Sequence, residues 1–160
     1  MKKLVLYYSQ ARGNTKRIAE MIAKELDADI EQINTVVPYT GTYQQIVDQG
    51  QDEVNRGYMP EVHSLIHNLN EYDKIIIGTP TWWYTMAPAV LTFLTKSNWS
   101  GKRVALFQTH GGWPGHTLSD MKKACEGAEV YSEYAVQFDS TGGDCLETNE
   151  ADIRSWIKTL

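Results

Sequence analysis

The hydrophobic pattern changes period repeatedly along the chain, and each change marks an element. Residues 3–8 form a short apolar and aromatic run, the pattern of a buried strand, and Ser9 opens a polar loop after it. Over residues 14–26 the period becomes helical, with Ile18, Met21, Ile22 and Leu26 on one face and Lys and Glu opposite. Residues 30–35 predict a second strand. Tyr43, Ile46, Val47 and Val54 predict a helix closed near Gly57, and Val62, Leu65, Ile66 and Leu69 a short helix after Pro60. Residues 74–78, with Ile75, Ile76 and Ile77 in a row, carry the pattern of a central parallel strand buried on both faces. Val90, Leu91 and Leu94 mark a helix from Pro88 to before Gly101. Residues 103–109 predict a strand, and Leu118, Met121 and Cys125 a helix with Thr117 and Asp120 spaced as a capping pair. Residues 130–138 alternate as an edge strand should, and Ile153, Trp156, Ile157 and Leu160 close the chain as an amphipathic helix capped by Asn149 or Thr148. Five strands alternating with about five helices predict an α/β fold, a parallel sheet covered on both faces.

Composition narrows the function more than the fold. With 160 residues, 42% apolar, a single domain over residues 1–160 is expected rather than two. Fifteen basic against twenty acidic residues, a net charge of −5, give no electrostatic reason to expect nucleic acid. Cys125 and Cys145 lie far apart with no CxxC, so reduced thiols and a cytoplasmic location are expected. The apolar run after Lys2 and Lys3 is too short for a signal peptide or a membrane span. His63 and His67 are spaced as metal ligands on a helix would be, but no third ligand accompanies them, so no metal is expected.

Ligands of an open α/β sheet bind beyond the carboxyl ends of its strands. Three unusual loops fall there. Ser9-Gln10-Ala11-Arg12-Gly13-Asn14-Thr15 brings hydroxyls, a glycine and free N–H groups to a helix N-terminus, which suits a phosphate or is an ordinary cap by Asn14 or Thr15. GxxxxGK[ST] and GxGxxG are both absent, which disfavours nucleoside triphosphates and a Rossmann dinucleotide site. Gly78-Thr79-Pro80-Thr81-Trp82-Trp83-Tyr84-Thr85-Met86 places consecutive aromatics after the central strand, where alternation sends them to opposite sides, either to stack on a flat ring or to cover the strand ends. Thr109-His110-Gly111-Gly112-Trp113-Pro114-Gly115-His116 holds three glycines in five residues, enough for N–H groups to approach a ligand closely or for a tight turn.

Together the three loops resemble those of the flavodoxin-like FMN-binding proteins, over essentially the whole chain. The resemblance rests on Tyr8-Ser9 leading to Gly13-Asn14-Thr15-Lys16, on Ile77 through Trp83, on the glycine-rich turn from Thr109 to Gly115, and on Pro80 through Pro88 to Thr92-Phe93-Leu94 and Gly101-Lys102. It implies a flavodoxin-like three-layer sandwich with a five-stranded parallel sheet in the order 2-1-3-4-5, and FMN as cofactor. By this resemblance Ser9, Gln10, Ala11, Arg12, Gly13, Asn14 and Thr15 hold the phosphate; Pro80, Thr81, Trp82, Trp83 and Tyr84 flank the isoalloxazine; and Thr109, His110, Gly111, Gly112, Trp113 and Gly115 meet its pyrimidine edge or other face. Two departures stand out. Gln10 and Arg12 occupy positions where the family commonly has Ser or Thr, and residues 81–86 lack the glycine whose peptide reorients on reduction in many flavodoxins.

The resemblance implies an FMN redox protein of one of two kinds. The first is a low-potential electron carrier serving a redox partner protein. The alternative is an oxidoreductase passing hydride from NAD(P)H through FMN to a quinone, free flavin or other small acceptor. A monomer and a homodimer both fit, and no residue is singled out as catalytic. Of five tryptophans, Trp156 is expected in the core, Trp99 has no assigned role, and Trp82, Trp83 and Trp113 fall in the loops that would enclose the flavin.

Overall fold

Alternation along the first strand sets the layers. In β1 (Lys3–Tyr7), Leu4 and Leu6 join one core cluster and Val5 and Tyr7 the other, and all four are buried. The central strand β3 (Lys74–Trp82) repeats this, Ile75 and Ile77 facing one way and Ile76 the other, as a parallel strand covered on both faces requires. The structure, a computed structural model, describes residues 2–10 and 12–160.

The other strands are β2 (Asp29–Gln32), β4 (Thr85–Met86), β5 (Arg103–His110) and β6 (Glu129–Gln137). The long strands run parallel in the order β2-β1-β3-β5-β6, while two-residue β4 folds back antiparallel on the end of β3. Counting long strands alone, this is the expected 2-1-3-4-5. Helices α1 (Asn14–Leu26) and α5 (Glu150–Ile157) cover the face of Val5, Ile76 and Phe107 with Ile18, Ile22, Ile153 and Trp156. Helices α3 (Pro88–Lys96) and α4 (Thr117–Ala124) cover the other with Val90, Phe93, Leu94 and Met121. Trp99 joins this second layer, 1% exposed, with its indole N–H on the Leu94 carbonyl at 2.8 Å. The tryptophan without an assigned role is a core residue.

Helix α2 (Tyr43–Arg56) starts with a capping box in which Thr42 Oγ1 and the Gln45 side chain satisfy each other's backbone N–H, and it ends at Gly57. Beyond it, two expectations fail for one reason. The segment after Pro60 is not an α-helix, and β2 ends at Gln32 rather than Thr35. Past β2 the chain leaves the sheet to pair with that segment: His63 N–H donates to the Asn34 carbonyl at 2.8 Å and Thr35 bridges Val62. The Ile66 and His67 N–H groups then go to the Glu31 carboxylate at 2.8 and 3.0 Å. With these amides committed to β2 and the chain just after it, an i to i−4 ladder cannot form, and a 3-10 turn at Leu69–Glu71 is what remains. His67 pairs with Glu31, and no cluster able to hold a metal occurs among the described residues.

Gly78 is a close-packing position. A Cβ there would overlap the Phe107 ring from the neighbouring strand. Gly78→Ala is expected to destabilise the fold by about 1–3 kcal/mol, read as a lower midpoint in urea unfolding, with Phe107→Leu restoring part of the loss.

Candidate functional site

The loop after β1 turns into α1 through Gly13, whose φ of +72° favours a residue without Cβ. The N-cap residue, Gly13, has no side chain to cap this helix, and no acid lies in its first turn. The alternative of an ordinary cap by Asn14 or Thr15 is not realised, because both side chains are used elsewhere. Asn14 Nδ2 donates to the Gly143 carbonyl at 2.9 Å, and the Thr15 hydroxyl shares a buried 2.8 Å hydrogen bond with that of Thr109. Ser9 Oγ accepts the Lys16 N–H at 3.3 Å. What stays open is the positive end of a helix, flanked by Arg12 and with no acid in its first turn.

The expected second loop is a hairpin instead. β3 runs on through Trp82 and returns as β4 after a two-residue turn in which both residues are left-handed, Trp83 at φ +50° and Tyr84 at φ +69°. Such turns favour Asn-Gly, since side chains in this region cost about 1–3 kcal/mol each. The surroundings hold the turn in place. The His116 N–H donates to the Tyr84 carbonyl at 2.9 Å, and Gly115 lies so close that a Cβ would overlap the Tyr84 backbone. Thr85 Oγ1 donates to Asp120 at 2.6 Å, and Thr81 Oγ1 to the Thr109 carbonyl at 2.9 Å. The expected Thr117–Asp120 cap is therefore absent: Asp120 serves Thr85 and His116, and Thr117 Oγ1 donates to the Pro114 carbonyl. The paired tryptophans separate as alternation requires. Trp82 is gripped edge-on by Tyr8 and Tyr39 and lies 3.1 Å from where a Gly50 Cβ would be, whereas Trp83 is 41% exposed.

In the third loop Gly112, at φ +114°, donates its N–H to His110 Nδ1 at 2.9 Å. Burial pushes His110 below the usual histidine value, favouring the neutral ring. Sequence reasoning missed a fourth loop, after β6. Asp139 accepts from the N–H and hydroxyl of Thr141, from Gly143 N–H at 2.9 Å and from Cys145 N–H at 2.9 Å. These donors lower its carboxyl from 3.8 to about 2. The Ser140-Thr141-Gly142-Gly143 run was the available signal, a turn sequence directly after the last strand.

A cleft of about 540 Å³, within the range of cofactor sites, opens where these loops meet. Gln10, Arg12, Asn14, Thr15, Pro80, Thr81, Trp82, Trp83, Thr109, His110, Gly111 and Trp113 line it. Of the remaining expected residues, Ser9, Gly13, Tyr84, Gly112 and Gly115 shape the loops without lining the cleft, and Ala11 lies outside the described residues. The structure adds a wall from α2, with Tyr43, Ile46, Val47 and Gly50, and a second from Phe138, Asp139, Gly142 and Gly143. A larger cleft of about 890 Å³ lies on the far side of Trp83. Two of its acids are engaged, Glu53 by Tyr39 and Gln49 and Asp120 by Thr85 and His116, and Glu126 adds a further negative charge. The smaller cleft is the better cofactor site, because a helix N-terminus without an acid in its first turn and the side chains of Trp82, Trp83 and Trp113 converge on it.

A family model described as flavodoxin matches residues 2–159. A flavodoxin of Buchnera aphidicola is 26% identical over 157 residues, 96% of this chain and 68% of that protein. The chain spans 63 to 68% of the length of the curated flavodoxins it matches. A crystal structure from Bacteroides eggerthii superposes with a TM-score of 0.79 at 27% identity, over 99% of this chain and 96% of that one. A flavoprotein of Lactobacillus acidophilus, solved in complex with FMN, gives 0.72 at 24% identity over 97% of both chains.

The Asp139 loop makes a pH prediction. Its folded carboxyl lies below the ordinary value, so the stabilisation is complete above about pH 4 and is lost as pH falls through about 2. The Gly143 and Cys145 amides should therefore remain protected from hydrogen exchange at pH 4 and lose protection near pH 2, whereas Asp139→Asn exposes them at pH 7. Equal protection in the variant would assign the loop's order to other contacts.

Proposed function

The chain belongs to the flavodoxin family, and from that premise we propose that it binds FMN in the 540 Å³ cleft and works as an electron carrier for a redox partner protein. One observation carries this reading. A helix N-terminus without an acid in its first turn, its only side-chain acceptor among the described residues being Ser9 on the Lys16 N–H, opens beside Arg12 at one part of a cleft that Trp82, Trp83 and Trp113 line elsewhere. The first part fits a phosphate and the second a planar ring. Arg12, Asn14 and Thr15, with the free N–H groups of the α1 start, would hold the phosphate. Trp82, Trp83, Trp113 and His110 would hold the ring. Bound FMN supplies reversible electron uptake, and the residues around it set how that charge is stabilised.

Three pins keep the cleft organised without ligand: the Thr15–Thr109 hydroxyl pair, the Asn14 bond to Gly143, and the His116 bond to Tyr84. Trp83, Tyr84 and Trp113 are exposed, so an apolar surface for a partner borders the ring. The alternative of hydride transfer from NAD(P)H to a small acceptor is favoured by one feature, the 890 Å³ cleft that shares Trp83 with the cofactor cleft.

Purified protein is expected to take up FMN and quench its fluorescence. Gly13→Asp, an acid at the phosphate end, should weaken binding about tenfold or more, and Gly13→Asn, which tolerates the left-handed backbone without charge, much less. No FMN uptake would overturn the reading. For the loaded protein, rapid anaerobic bleaching by NADH or NADPH would replace the carrier by the oxidoreductase.

A further inference from the structure

The hairpin that borders the cleft is pinned at its carbonyl by His116, at its backbone by Gly115 and at Thr85 by Asp120, so it offers little freedom to respond to charge in the cleft. The turn that follows β5 is built differently. His110 lines the cleft, and its Nδ1 accepts the Gly112 N–H at 2.9 Å. A ring nitrogen that accepts carries no proton, so the neutral ring bears its proton on Nε2. Gly112, at φ +114°, is free of the steric limits that bind Trp83 and Tyr84 in their turn.

We propose that the His110–Gly112 turn is the proton-linked element of the flavin site: His110 presents Nε2–H to the cleft while the ligand is oxidised and takes a proton on Nδ1 when the ligand becomes negative. This deepens the FMN reading and rests on it. Protonation turns Nδ1 from acceptor to donor, so the Gly112 N–H must be released, and the Gly112 peptide turns away. The step balances simply. Two electrons from an external reductant and one proton from solvent enter the cofactor, leaving it with one added negative charge; one further proton from solvent goes to His110.

The groups around His110 leave room for that charge. Arg12 reaches the cleft from the first loop and opposes a second cation while no anion is bound. Asp139, from the fourth loop, is committed to Thr141, Gly143 and Cys145. Tyr43 from α2 is the phenol that lines the cleft, β6 sets Gln137 opposite His110, and Phe138 follows in the cleft wall, neither of the last two titrating. Beyond the turn, His116 is tied to Asp120. Burial already favours neutral His110, so a new negative charge beside it has a proton to attract.

Three measurements test this. Nitrogen NMR of ligand-free protein should show His110 as the Nε2–H tautomer; the Nδ1–H tautomer would overturn the proposal whatever the cofactor. In FMN-loaded protein, His110 should titrate at higher pH after dithionite reduction than before, and an unchanged titration would overturn it. Between those two values the two-electron potential should carry one extra proton, a tenfold change in equilibrium constant per pH unit, or about 30 mV. His110→Gln keeps an acceptor for Gly112 and an N–H for the cleft but cannot titrate. It should lose the extra slope, and an identical slope would assign the proton elsewhere. FMN affinity, measured in parallel by fluorescence, separates failure of this proposal from failure of cofactor binding.

Discussion

The sealing of β3 on both faces is the constraint from which the site follows. Ile75, Ile76 and Ile77 sit between β1 and β5, under α3 and α4 on one side and α1 and α5 on the other. A strand in that position has its backbone groups in the ladder and its side chains in the core, so chemistry must wait until it clears the helices. That happens from Pro80 onward, where Thr81, Trp82 and Trp83 reach the cleft. The same strand begins with Lys74 and ends with Trp82, its first residues packed between neighbouring strands and its last lining the cleft.

The loops at this end are coupled to each other more than to their own helices. Thr15 on α1 meets Thr109 on β5, Asn14 meets Gly143 beyond β6, Thr81 meets the Thr109 carbonyl, and Tyr84 meets His116. Each bond joins segments far apart in sequence. A hydroxyl or amide that local reasoning assigns to a helix cap is used instead to join two loops, because satisfying a buried polar group outweighs a local cap. The strained Trp83–Tyr84 turn persists for the same reason: its neighbours over-determine it.

Elements with a clear apolar period were legible in the sequence: α1 to α5 and the strands β1, β3, β5 and β6, while the order of the strands came from the family resemblance. The segment after Pro60 was not, because its apparent helical spacing of Val62, Leu65, Ile66 and Leu69 says nothing about where its amides go, and Ile66 ends almost fully exposed. Most of the first loop and of the aromatic wall that line the cleft could be read from composition and position. The α2 wall could not, since its packing over the strand ends is long-range, and the Asp139 loop was hidden because an aspartate that satisfies its own turn looks like any polar loop residue.

Gly50, in the α2 wall, shows how one position without a side chain sets the dimensions of the cleft. It has ordinary helical backbone and no turn to serve, and it allows α2 to rest directly on the Trp82 indole. Any larger residue would lever that ring toward the ligand or lift the helix away from it. Position 50 is therefore an adjustment of aperture: drift there would change the width of the cleft while Arg12, Asn14 and Thr15 at its other end stayed the same.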